Sequence, residues 1–161
     1  MEIILIKVSI SSILFFEYTR LFVSKISFIN IIPGDPFGLP DVLIMEKTIL
    51  FIDGGYLSFI SKHFGGGNPL KYKIEKFAIN LAKEVGLDCQ TIYFYIAPPF
   101  QGPKPSEEEN RRKANYDKFI EKLKFVEPQI KIREGRLQKI NETFQQKGVD
   151  TLMTMDLLKV A

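Results

Sequence analysis

The sequence predicts an α/β domain of three layers built on a mostly parallel sheet, and three features carry that reading. Thr48-Ile49-Leu50-Phe51-Ile52 and Thr91-Ile92-Tyr93-Phe94-Tyr95-Ile96 are continuous β-branched and aromatic runs, the pattern of strands buried on both faces. Between them Ile74, Phe77, Ala78, Leu81, Ala82 and Val85 recur at helical spacing, and Gly86 marks the stop. Strand, helix and strand in that order make a parallel unit, whose crossover is expected to be right-handed.

The first strand stops at Asp53-Gly54-Gly55, where two glycines permit a sharp departure from the sheet. The glycine-rich loop Gly65-Gly66-Gly67-Asn68-Pro69 precedes the helix, and it matches neither a P-loop nor a dinucleotide fingerprint. After the second strand comes the long loop 97–105. Ser106 with Glu109 then predicts a capping box heading a helix whose buried stripe is Tyr116, Phe119, Ile120 and Leu123. Gln129-Ile130-Lys131-Ile132-Arg133 alternates as a short half-exposed strand closed by Gly135. Gly148-Val149-Asp150 opens a last helix through Leu152, Met153, Met155, Leu157, Leu158 and Val160, still running at Ala161. The domain is therefore expected to be incomplete at the C-terminus.

Residues 1–44 differ in character from the rest of the chain, being rich in Ile, Phe and Ser and ending in the turn-rich run 32–40. They read as an N-terminal extension, either outside the native frame, with translation starting at Met45, or without fixed structure. Glu2 and Lys7 spoil a signal peptide, and Lys7, Glu17, Arg20 and Lys25 interrupt every window long enough to span a bilayer. Stable membrane association is thus not expected; a weak surface anchor is the lesser alternative. Residues 45–161 form the domain.

Composition narrows the chemistry. The 161 residues are 45% hydrophobic and 25% charged, ordinary for a globular chain, and the net charge of +3 permits a polyanionic partner without requiring one. Cys89 is the only cysteine and His63 the only histidine, which excludes an internal disulfide and a zinc site built from such ligands. A reducing, cytoplasmic setting fits, and any metal is expected to be a hard ion such as Mg²⁺ or Mn²⁺ on carboxylates. His63 reads as a surface residue.

Candidate site residues come from position. Asp53 ends the first strand, where open parallel sheets place their ligand crevice; the competing reading is a turn aspartate bonded to its own backbone. Asp150 is expected at the N-cap of the last helix, which by itself accounts for an acid there. Asp156 stands six residues on, a rotation of roughly 240°, so it cannot share a face with Asp150 and reads as a polar break in an apolar helix. Arg111, Arg112 and Lys113 come after Glu107, Glu108 and Glu109, so a solvated face paired Glu107–Arg111 and Glu108–Arg112 is favoured. The alternative is a phosphate-contacting edge that Lys104, Arg133, Arg136 and Lys139 would extend.

Taken in order, these segments resemble a known family. Ile49-Leu50-Phe51-Ile52-Asp53-Gly54-Gly55-Tyr56-Leu57 resembles the opening strand of NYN domains of the LabA-like group. Tyr93-Phe94-Tyr95-Ile96-Ala97-Pro98-Pro99 resembles their second strand and the loop after it. Gly135-Arg136-Leu137, Gln146-Lys147-Gly148-Val149-Asp150 and Met155-Asp156-Leu157-Leu158 resemble the most distinctive stretch of that family. The similarity runs over nearly everything after Met45, and Tyr56 stands where many members carry asparagine. The resemblance implies a PIN-like, Rossmann-like fold and a metal-dependent ribonuclease using Mg²⁺ or Mn²⁺. It implies Asp53 and Asp150 as catalytic, metal-binding carboxylates, with Asp156 a further metal-binding candidate of less defined role. RNA is the implied partner; Lys104, Arg111, Arg112, Arg136 and Lys147 are the basic candidates to contact it, and a homodimer is an allowed assembly. Family members continue into a further strand rich in aspartate, so the chain corresponds to part of such a domain. A non-catalytic RNA-binding or protein-interaction module on the same scaffold is the alternative. An aspartyl phosphotransferase ranks last, because Gly55 occupies the position where its second aspartate would stand.

Overall fold

The computed structural model describes residues 2–6, 45–140 and 143–160. The rest of the expected N-terminal extension, residue 1 and residues 7–44, lies outside the described residues. The architecture is α/β. Strands β1 (Glu2–Ile6), β2 (Glu46–Asp53), β3 (Leu87–Ile96) and β4 (Gln129–Glu134) form one sheet in the order β1-β2-β3-β4, every neighbouring pair parallel. Helices are α1 (Gly54–Phe64), α2 (Ile74–Glu84), α3 (Glu107–Leu123) and α4 (Val149–Val160), and a separate antiparallel hairpin joins β5 (Arg136–Ile140) to β6 (Thr143–Lys147). The segment 2–6 of the expected extension pairs with β2 along Glu2↔Thr48 to Ile6↔Ile52.

The pleat of β2 sorts its side chains into two cores. Leu50 and Ile52 face α1, α2 and α3, packing with Leu57, Ile74, Ala78, Ala82, Ile92, Phe94, Leu123 and Ile130. Ile49 and Phe51 face the other way, packing with Tyr95 and with Val149 and Met153 of α4. Leu50, Phe51, Ile52 and Ile92 are fully buried, each contributing about 1.5–3 kcal/mol of transfer free energy. Apolar runs in β2 and β3 thus arise because helices cover both faces of the sheet.

Several elements depart from the expectations. The departure from the sheet at Asp53-Gly54-Gly55 leads directly into α1, a helix not among the expected elements. The capping acid and the burial of Leu57 and Ser61 outweigh the glycine penalty of about 1 kcal/mol per residue. Gly54 fits because a Cβ there would lie 2.7 Å from the Phe94 ring and 2.9 Å from the Tyr95 carbonyl oxygen. Ser106 and Glu109 form the expected capping box. Of the expected α3 stripe only Leu123 is buried; Tyr116 and Ile120 are half-buried, and Phe119 sits edge-on to Phe94 while 36% exposed. The hairpin 136–147 carried no apolar alternation to announce it.

Candidate functional site

Asp53 closes β2 and caps α1: its Oδ1 accepts from the N–H groups of Gly55 at 2.9 Å and Tyr56 at 3.1 Å. The turn-aspartate reading therefore holds, in the particular form of a helix N-cap. It does not exhaust the position. The alternation that turns Ile49 and Phe51 toward α4 turns Asp53 the same way, at the C-terminal end of the strand and 8% exposed.

Asp150 comes to that same end of the sheet by a different route. Gly135, just past β4, donates its N–H to the Ile96 carbonyl at the end of β3. A Cβ on Gly135 would lie 2.7 Å from the Lys147 carbonyl oxygen and 2.7 Å from Val149 Cγ2, so both β6 and the start of α4 rest against the strand ends. Contrary to expectation Asp150 is not the N-cap. The Gly148 carbonyl takes the first helical bond, from Leu152 N–H at 3.0 Å, and Asp150 is the second residue of α4, exposed at its positive end. Beside Asp53 stands Gln146, whose Oε1 lies 2.9 Å from the point where a Cβ on Gly55 would be, with Asp53 Oδ1 3.2 Å from that point. Gln146 has no signal of its own in the sequence; the hairpin delivers it.

Asp156 takes another role. It is 4% exposed, and its Oδ2 accepts from Tyr95 Oη at 3.0 Å and Arg133 Nε at 2.7 Å, while Oδ1 accepts from an Arg133 terminal nitrogen at 2.9 Å. Lys159 adds a longer contact at 3.8 Å. The expected polar break is thus a buried two-pronged ion pair, and a carboxylate so engaged is not available to a metal. The bonds to Asp156 hold the Arg133 guanidinium charged above the usual arginine range; burial, and then the bond to Asp156, raise the Tyr95 phenol. Asp156 and Asp150 lie on different faces, as their spacing demands. The clue to this pair was an acid inside an apolar helix together with a cation on the polar side of an alternating strand. Arg133 and Lys131 share that side, opposite Ile130 and Ile132, and Lys131 sits 4.9 Å over the Tyr93 ring.

The basic candidates do not gather at the rim. On α3, Glu108 pairs with Arg112 as expected and also takes Arg111, which was expected on Glu107, and Lys113 pairs with Asp117. That face is solvated. Lys104 is exposed in the loop before α3. Arg136 and Lys147 are directly opposed across the hairpin, one residue out of phase with Gln146, so the pleat turns them to the opposite side from Gly55. Phe144 shares the Gln146 side and packs 5.4 Å from Phe100, which seats the hairpin beside the loop after β3.

Among the described residues no three His, Cys, Asp or Glu side chains group to hold a metal ion. Asp53 and Asp150 are the acids on the α4 side of the rim; Glu134, at the end of β4, accepts from Tyr116 of α3 instead. Two carboxylates suit Mg²⁺ where water and phosphate oxygens complete the octahedron, and they do not suit a protein-only cage. No helix among the described residues is long and apolar enough to cross a membrane. The chain matches no protein-family model, no curated protein and no solved structure.

Proposed function

We propose that this chain carries part of an NYN-type, PIN-like three-layer nuclease domain that hydrolyses RNA phosphodiesters with Mg²⁺ or Mn²⁺ in a cytoplasmic setting. The observation that carries the reading is the meeting of Asp53 and the start of α4, with Asp150, at one end and one face of an open parallel sheet. That crevice is where such sheets bind ligands. Asp53 and Asp150 would hold the ion, with Gln146 offering an amide to a phosphate oxygen. When bound, the ion lowers the pKa of an attacking water and offsets charge on the phosphate. Asp156 is assigned to the scaffold.

The test is cleavage of a labelled single-stranded RNA with Mn²⁺ by the wild-type chain, Asp53→Asn and Asp150→Asn. Asparagine still caps a helix, so Asp53→Asn removes the charge and keeps α1. Each substitution is expected to lower the rate by at least about 100-fold, on the scale of one lost group stabilising the transition state. Equal rates in all three chains, or cleavage indifferent to a chelator, would remove the catalytic assignment. That no three acids group to hold a metal among the described residues favours a second reading, a binding module without turnover. Salt-sensitive RNA binding with no cleavage would select it.

A further inference from the structure

Away from that rim, the segment 71–73 and the first turns of α2 enclose an open groove of about 610 Å³, lined by Lys71, Tyr72, Lys73, Lys76, Phe77 and Asn80. Three of its six lining residues are exposed lysines and none is acidic; Glu75 lies on α2 but outside the lining. Tyr72 is 43% exposed. Its ring leans on Phe77 at 6.0 Å and 53°. Backed by Phe77 on one side, that ring keeps a good part of its surface open. Lys73 stands at the N-cap of α2 without a side-chain capping bond, so the positive end of the helix adds to the lysines.

We propose that this groove is a docking surface for single-stranded nucleic acid, Lys71, Lys73 and Lys76 taking phosphates while a base stacks on Tyr72. Cations beside an exposed aromatic face are what an unpaired strand requires: the phosphates supply charge attraction and every base has a face to stack. A duplex hides those faces. A bilayer would meet a convex apolar surface rather than a concave one lined by lysines. Lys83, one turn beyond Asn80, extends the positive track along the exposed side of α2. The inference is independent of Asp53 chemistry, because it requires no metal.

Fluorescence anisotropy of a labelled twelve-nucleotide oligouridylate, in EDTA and across a KCl series, tests it. Replacing Lys71, Lys73 and Lys76 together by glutamine is expected to weaken binding about tenfold or more. The slope of log K against log salt should fall by about 2, since each phosphate contact on a single strand contributes about 0.7. Tyr72→Leu is expected to weaken binding about fivefold or more at unchanged slope, and Tyr72→Phe, which keeps the ring, to stay within about twofold. The single Lys76→Gln, on an exposed helical face, should lower the slope by about 0.7 and serves if the triple variant does not fold. Wild-type affinity and slope in the lysine variants would overturn the proposal. So would a loss confined to a Lys104, Arg111 and Arg112 glutamine variant, or tighter binding to phosphatidylserine vesicles or duplex than to the oligonucleotide. Mn²⁺-dependent cleavage without this binding would strike the groove alone; binding without cleavage would strike Asp53 alone.

Discussion

At Asp53 one oxygen already serves the fold, since Oδ1 takes the N–H groups of both Gly55 and Tyr56. A cation there must draw on Oδ2 or share Oδ1, which is why charge removal by asparagine separates chemistry from capping. Cys89 shows the opposite case, a reactive group kept inert. It is 7% exposed at the base of β3, and burial, with the neighbouring Asp88 charge adding to it, pushes its thiol up to about 11. Its ordinary value is 9.0, so at pH 8 the thiolate fraction in the folded chain is about 100-fold below that of the unfolded chain. Maleimide labelling at pH 8 should be slower by at least that factor in buffer than in urea. A folded-state value above the unfolded one favours the fold fully below pH 9.0, and the advantage is lost as pH rises toward about 11. Comparable labelling rates in buffer and in urea would place Cys89 at the surface.

Elements announced themselves in the sequence in proportion to how locally they are stabilised. The capping box at Ser106 and the helical period of α2 lie within a few residues, and both are legible without any tertiary contact. The hairpin is not. All five residues of β6 are exposed, so its pairing comes from register with β5 and from the seat that Gly135 provides, rather than from an apolar face. Gly135→Ala tests that seat. The added methyl would press at 2.7 Å on a backbone oxygen and on Val149, neither of which can yield without moving β6 or α4. The substitution should cost about 1–3 kcal/mol, read as a lowered urea midpoint. An unchanged midpoint would mean that the hairpin and the start of α4 are not held at the strand ends.

On the scale of the whole molecule, the sheet carries two cores, and the α4 side is the thinner one. A polar knot joins it across three elements: Asp156 of α4, Tyr95 of β3 and Arg133 of β4. Removing the acid would leave a charged guanidinium without its partner and a buried phenol without its acceptor. Breaking a fully buried pair costs about 3–5 kcal/mol. Because the Arg133 side chain is 36% exposed, Asp156→Ala should cost less, about 2–3 kcal/mol. Denaturant unfolding measures the loss, and amide exchange should rise first along α4. A loss under about 0.5 kcal/mol, the ordinary range for surface changes, would show that α4 is held by its apolar contacts alone.

By itself the sequence determined the parallel order of β2, α2 and β3, the start of α3, and the placing of Asp53 at a strand end. These rest on periodicity and on residues a few positions apart. The tertiary structure decided the rest. It engaged Asp156, expected as a candidate metal ligand, with Arg133, 23 residues away, and with Tyr95, 61 residues away. It also brought Gln146 beside Gly55. A carboxylate's chemistry depends on the charges and donors within a few ångströms of it. Which residues those are is settled only when distant parts of the chain pack together.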